Sequence, residues 1–138
     1  DVTDDDILNE MGDAALGVVT SHHYSAAHDS AANKAFVAAF GKANNGMRPN
    51  FMAVGGYDGI RLIVEGLKAT KGAGGEALLS AMKGQVFESP RGPVKIDPET
   101  RHITQTIYLR EVAKDAQGRW INKEIANVPD QKDPGLAK

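Results

Sequence analysis

Cysteine is absent from these 138 residues. That lack excludes a disulfide framework, a thiolate zinc site and a cysteine nucleophile. It fits any compartment, an oxidising one included. Neither sign of charge dominates, because 16 Lys and Arg stand against 18 Asp and Glu. The chain therefore offers no electrostatic case for nucleic acid or for an anionic membrane surface. No apolar run approaches the ~20 residues that a membrane-crossing helix needs. Enzyme signatures are missing too. There is no G-x-S-x-G, no G-x-G-x-x-G after a strand, no phosphate-binding G-x-x-x-x-G-K and no H-E-x-x-H. Ser21, His22 and Asp29 supply the residue types of a catalytic triad, but nothing in their spacing places them within hydrogen-bond reach. The expectation is a protein that performs no chemistry and carries no cofactor.

What is present suits a folded domain. Hydrophobic residues make up 41% and charged residues 25%, an ordinary balance for one buried core. The opening Asp1-Val2-Thr3-Asp4-Asp5-Asp6 is acidic, lacks an initiator methionine and reads as a processed or truncated end. Ile7, Leu8 and Met11 predict a short helix within 4–15, with Asp4, Asp5 and Asp6 at its start and the pattern broken by Gly12 and Gly17. Leu16 to Thr20 reads as a short buried strand, followed by a polar strand end or loop, Ser21-His22-His23-Tyr24-Ser25. Asp29 or Ser30 is placed to cap a helix whose face carries Ala32, Phe36, Phe40 and Ala43.

Phe51 to Ala69 predicts a second helix, with Tyr57, Ile60, Val64 and Leu67 on one face. Gly55, Gly56 and Gly59 lie near its start, where a close backbone approach would be one reason for them. A shorter helix is expected over 75–83 with Leu78, Leu79 and Met82 inward. Short strands Val86–Glu88 and Val94–Asp97 should flank the turn Ser89-Pro90-Arg91-Gly92-Pro93. Alternation of Ile103, Ile107 and Leu109 marks an extended segment. Asp115-Ala116-Gln117-Gly118 then turns it back into a strand over 120–128, with a loose tail over 130–138. One strand, three helices and then several strands make a poor complete parallel sheet, so the chain reads as a portion of a larger α/β protein.

Several of these pieces together resemble type I periplasmic solute-binding proteins of ABC transporters, the group serving branched-chain amino acids, amides and aromatic acids. Gly17-Val18-Val19-Thr20 resembles the family's strand leading out of the second lobe. Asn33 to Phe40 resembles its F-x-x-x-F helix, and Gly56-Tyr57-Asp58-Gly59-Ile60 with Glu65-Gly66-Leu67 its A-Y-D-A … E-A-L helix. Leu78 to Gly84, Phe87, Gly92-Pro93-Val94-Lys95-Ile96-Asp97, His102 and Tyr108-Leu109-Arg110-Glu111-Val112 complete the pattern, which spans roughly Ala14 to Val112. Ser89-Pro90-Arg91 departs from it, replacing a small-glycine step.

The resemblance implies the C-terminal portion of a two-lobed α/β fold, a parallel sheet with flanking helices and a C-terminal β-hairpin. Residues 1–24 would be second-lobe helix and strand, 25–107 first-lobe helices and short strands, and 108–138 the return to the second lobe. Hinge crossings are implied near Ser21–Ser25 and Tyr108–Val112. The implied function is extracytoplasmic: a periplasmic binding component of an ABC importer that closes on a small amino-acid-like or aromatic carboxylate. Its partners would be that small molecule, a membrane permease, and the missing N-terminal portion or a second copy. A ligand-sensing regulatory domain of the same fold is the alternative, and a small α/β enzyme unrelated to the family a third possibility.

Tyr57 is the first candidate for ligand contact, since the resemblance puts it at a helix start facing the cleft. Its ring could stack and its hydroxyl bond a carboxylate or amide; packing beside Ile60 is the plain alternative. Gly56 precedes it. His22, His23 and Tyr24 follow a strand, where α/β folds place ligands, unless they form a solvated polar hinge. With His28 the histidines make a poor metal set, because neighbours in an extended segment point to opposite sides. Asp58 reads as a helix N-terminal acid and Trp120 as a packing anchor; Arg48, Arg61 and Arg91 could bind an anionic ligand, since guanidinium forks fit carboxylates, but each reads more readily as a solvated surface charge. The His22-His23-Tyr24 run with Tyr57 leans toward aromatic carboxylates.

Overall fold

Two polar caps fix where the long helices begin. In the computed structural model, which describes residues 2–136, Ser30 accepts a bond from the Asn33 amide and opens α2 (Ala31–Ala43). Asn50 accepts from the amides of Met52 and Ala53, both at 3.1 Å, and opens α3 (Phe51–Ala69). The helix expected within 4–15 is α1 (Leu8–Met11); Gly12, at φ 60°, ends it and a 3₁₀ turn, Gly12–Ala15, follows. α4 (Gly75–Met82) packs on α3 through Gly66, where an added Cβ would stand 2.7 Å from Leu78 Cδ1. The close approach thus falls at Gly66. Nothing stands within 4 Å of the Cβ position of Gly56 or Gly59.

Five strands follow the same local signals: β1 (Val19–His22), β2 (Val86–Ser89), β3 (Gly92–Ile96), β4 (Ile103–Lys114) and β5 (Trp120–Gln131). β4 is the strand they share. Its first residues Ile103 and Thr104 pair with β3, Tyr108 to Glu111 pair with β1, and Gln105 to Lys114 pair with β5. The expected C-terminal hairpin is β4–β5, turned at Asp115 to Gly118. β5 runs on to Gln131, so the expected tail is strand at its start. A 3₁₀ turn, Pro134–Leu136, follows; Ala137 and Lys138, like Asp1, lie outside the described residues.

Every strand pair among the described residues is antiparallel. The parallel ladder that the resemblance implies is therefore not formed within this stretch. The connectivity explains it: β2–β3 and β4–β5 are joined by tight turns, and a parallel pair needs a long crossover between two strands.

Two apolar clusters hold the elements. Leu8, Ala15 and Val112 pack with Met11 and Trp120, and Tyr24, Phe36 and Val54 with Phe40, Phe51 and Ala53. Other apolar faces are open. Val18 and Val19 are exposed, so β1 is not the buried strand expected. Tyr57, Ile60 and Val64 form an outward face of α3, while Val54, Asp58 and Gly66 face in. None of α4 is fully buried either, and Leu79, expected inward, is exposed. A helix apolar on both faces belongs to the interior of something larger.

Candidate functional site

β1 ends at His22, whose register partner on β4 is Tyr108. The two stretches expected to cross a hinge therefore lie side by side. Past His22 the chain leaves the ladder, and the alternation of an extended strand no longer applies. The rings of His22 and His23 stack, 4.4 Å between centroids at 24°, instead of pointing to opposite sides. Phe51, the first residue of α3, meets both edge-on, at 5.1 Å from His22 and 6.1 Å from His23. Burial lowers the His22 pKa to about 4, with the charge of Arg110 adding to the effect. It lowers His23 to about 3, with Arg91 the next cause. Both imidazoles are neutral flat rings at neutral pH, and His22 already hydrogen-bonds the backbone of Tyr24. Phe51 had no place among the sequence candidates. An aromatic residue directly behind the Asn50 cap was the available signal.

The other candidates are placed differently. Tyr24 is 1% exposed and donates its hydroxyl to Asn33 Oδ1 at 3.0 Å. Asn33 in turn donates to the carbonyls of Ser25, Ala26 and His28. Burial pushes the Tyr24 phenol well above its usual value. Its hydroxyl is engaged inside the chain, and the ring lies against Phe36. Tyr57 is 47% exposed, its ring 4.9 Å from that of Phe36. Gly56 is exposed on the same helix.

A second feature was not legible in the sequence. Asp58 is neither a helix-terminal acid nor exposed, and Arg91 is no solvated charge. Arg91 is 6% exposed, and its Nε donates to Asp58 Oδ2 at 2.9 Å. Ser89 Oγ donates to the same oxygen at 2.8 Å, and Arg91 Nη1 donates to Gln105 at 3.0 Å. Burial raises Asp58 and lowers Arg91, while the ion pair opposes both shifts. The partners lie 33 residues apart, beyond any local pattern. The one hint was that Ser89-Pro90-Arg91 breaks the family pattern.

Among the remaining charges, Arg48 donates to Trp120 O and Asn9, and Arg61 to Glu88 O while covering the Phe87 ring. Both stay half-exposed, so their charges remain partly solvated as expected. His28 pairs with Glu124 at 2.8 Å, away from the other two histidines' stack. Trp120 packs on the Leu8 cluster, as a packing anchor would, and donates to Asp13. Grooves of about 490 Å³ at His102, Gln105 and Lys132 and about 650 Å³ at Ala27, Arg48 and Arg119 touch none of the five ligand candidates. The His22, His23 and Phe51 rings are half-buried.

Helices beside an antiparallel sheet in this arrangement match part of the type I periplasmic binding fold of solved neighbours. The chain belongs to the periplasmic binding protein family, whose profile matches residues 2–117. It is 49% identical, over 99% of its length, to Leu/Ile/Val-binding protein homolog 6 of Brucella abortus, of which it spans 35%. It is 61% identical, with a TM-score of 0.93, to a solute-binding protein of an ABC transporter from Rhodopseudomonas palustris in complex with 3,4-dihydroxybenzoic acid, covering 98% of this chain and 37% of that one. Another such protein from that species, in complex with p-hydroxybenzoic acid, shares 43% identity and a TM-score of 0.90, covering 99% and 37%. The chain thus spans about a third of the length of these relatives.

Proposed function

We propose that this chain forms one wall of an interlobe cleft in a periplasmic solute-binding protein of an ABC importer, and that the cleft takes an aromatic carboxylate. The observation that carries the reading is the His22, His23 and Phe51 ring cluster beside the β1–β4 crossing. Flat, neutral, half-buried rings favour an aromatic solute over an aliphatic one. The hydroxybenzoates named for two similar structures support the same class.

In this reading residues 1–24 and 108–138 belong to the second lobe and 25–107 to the first. His22, His23, Gly56 and Tyr57 line the wall, and Tyr24 backs it. The opposite wall and the cover for α3 come from the N-terminal portion of the same protein or from a second copy. Binding favours the closed arrangement by differential affinity, and the closed form docks on a membrane permease.

A thermal-shift panel on the complete protein tests the ligand class. A ligand at 100 times its Kd adds about 2.7 kcal/mol, a rise of several degrees in Tm. 4-Hydroxybenzoate and 3,4-dihydroxybenzoate should give that rise and leucine should not. Stabilisation by leucine with none from either benzoate would reject the reading.

A further inference from the structure

The ring cluster lacks a charge to receive a carboxylate. Tyr57, Gly56 and two neutral imidazoles supply stacking and dipoles, yet an anion withdrawn from water needs a cation or several donors. One side chain is placed to supply it. Arg91 is held at two of its three guanidinium nitrogens, Nε by Asp58 and Nη1 by Gln105. Its Nη2 points toward α3 at Gly55: a Cβ added there would lie 4.0 Å from that nitrogen. Gly55 is exposed. With no side chain at position 55, the helix leaves a gap over Nη2. The charge of Arg91 is also among the causes of the shifts at His22, His23 and Tyr24, so it reaches all three.

We infer that Arg91 receives the ligand's carboxylate, its Nη2 reaching the cleft through the gap at Gly55 while Asp58 and Gln105 hold the other two nitrogens. The inference rests on the aromatic-carboxylate reading above and adds its polar anchor. The fixed guanidinium loses little freedom on binding, which is the gain from holding it in advance. Asp58 sets its orientation and acts only through Arg91.

Calorimetric titration of the complete protein with 4-hydroxybenzoate and its uncharged methyl ester tests this. Wild-type protein should prefer the acid. Arg91→Gln should weaken the acid about 10- to 100-fold and leave the ester within a few-fold, erasing the preference. Gly55→Leu closes the gap without touching the Asp58 pair, at an exposed helical position where losing glycine favours folding. It should weaken the acid about 10-fold or more while raising Tm. Equal losses for acid and ester in Arg91→Gln, or an unchanged acid affinity in Gly55→Leu, would overturn the inference. If Arg91→Gln does not fold, Gly55→Leu alone decides. A wild-type protein that binds neither compound overturns the ligand-class reading, and the inference falls with it.

Discussion

The chain buries two arginines and holds them in contrasting ways. Arg110 is 0% exposed; its Nη1 donates to the Tyr24 carbonyl at 2.6 Å and its Nη2 to Thr20 Oγ1 at 3.1 Å. Its balancing charges, Asp5 and Asp4, act through space. Arg91 instead meets a carboxylate directly and carries a second bond to Gln105. Arg110 pins β1 and the segment after it to β4, so it fixes the crossing itself. Arg91 ties α3, the β2–β3 turn and β4 together and keeps one nitrogen toward the surface of α3. Arg110 thus acts as a structural rivet at the crossing, whereas Arg91 joins three elements through side chains and is the residue inferred above to receive the carboxylate.

The sharpest way to break this contrast is at Arg110. Arg110→Met strips the Tyr24 carbonyl and Thr20 of their donor and removes one of the charges that balance Asp4 and Asp5. The expected loss, about 3–5 kcal/mol in chemical denaturation, is that of breaking a buried charge group. A loss under about 1 kcal/mol would show that the crossing does not depend on it. Asp58→Asn should cost less, about 2 kcal/mol, since the amide oxygen still accepts from Ser89 while the charged bond is lost. Urea unfolding of both variants side by side gives the ranking.

A pH series sharpens the comparison, because both arginines bear on the histidine pair. Folded-state pKa values of about 4 for His22 and about 3 for His23 lie below the ordinary histidine value of 6.5. The pair therefore contributes stability that is fully present above about pH 6.5 and is lost as pH falls toward 4 and then 3. Burial raises the pKa of Asp4, Asp5 and Asp58, which works in the opposite sense. The readout is thus the difference between wild type and His22→Gln/His23→Gln. The double variant should show a shallower fall in Tm below pH 6.5; identical slopes would mean the rings are not held neutral. The smallest effect is expected at the α3 cap. Asn50→Ala should cost about 1 kcal/mol, since two amides lose their acceptor. The Phe51 ring would then sit on a less fixed helix start, and an unchanged Tm would remove the cap from the account.

What the sequence showed and hid follows the range of the forces. α2, α3 and the β4–β5 hairpin were legible because caps, helical spacing and the Asp115–Gly118 turn act over a few residues. The register of His22 with Tyr108 was approached only through resemblance to a family. The His22–His23 stack was missed because it depends on the strand ending between them, and strand ends are set by pairing with β4. Asp58, expected as a helix N-terminal acid, and Arg91, expected as a solvated charge, are instead a buried pair because α3 packs over the β2–β3 turn. The apolar stripe Tyr57, Ile60 and Val64 was correctly grouped, but in this chain it faces outward. Hydrophobic periodicity tells which residues share a face, not which partner covers it.

The claim on which the rest depends is that the ring cluster at the end of β1 faces the solute. With only four histidines in the chain, imidazole NMR resonances of the complete protein, assigned by single substitutions, can test it during titration with 4-hydroxybenzoate. The account predicts that the His22 and His23 signals move together and saturate with binding, while those of His28 and His102, paired with Glu124 and Asp133, stay in place. Saturable binding that leaves His22 and His23 unmoved would contradict it.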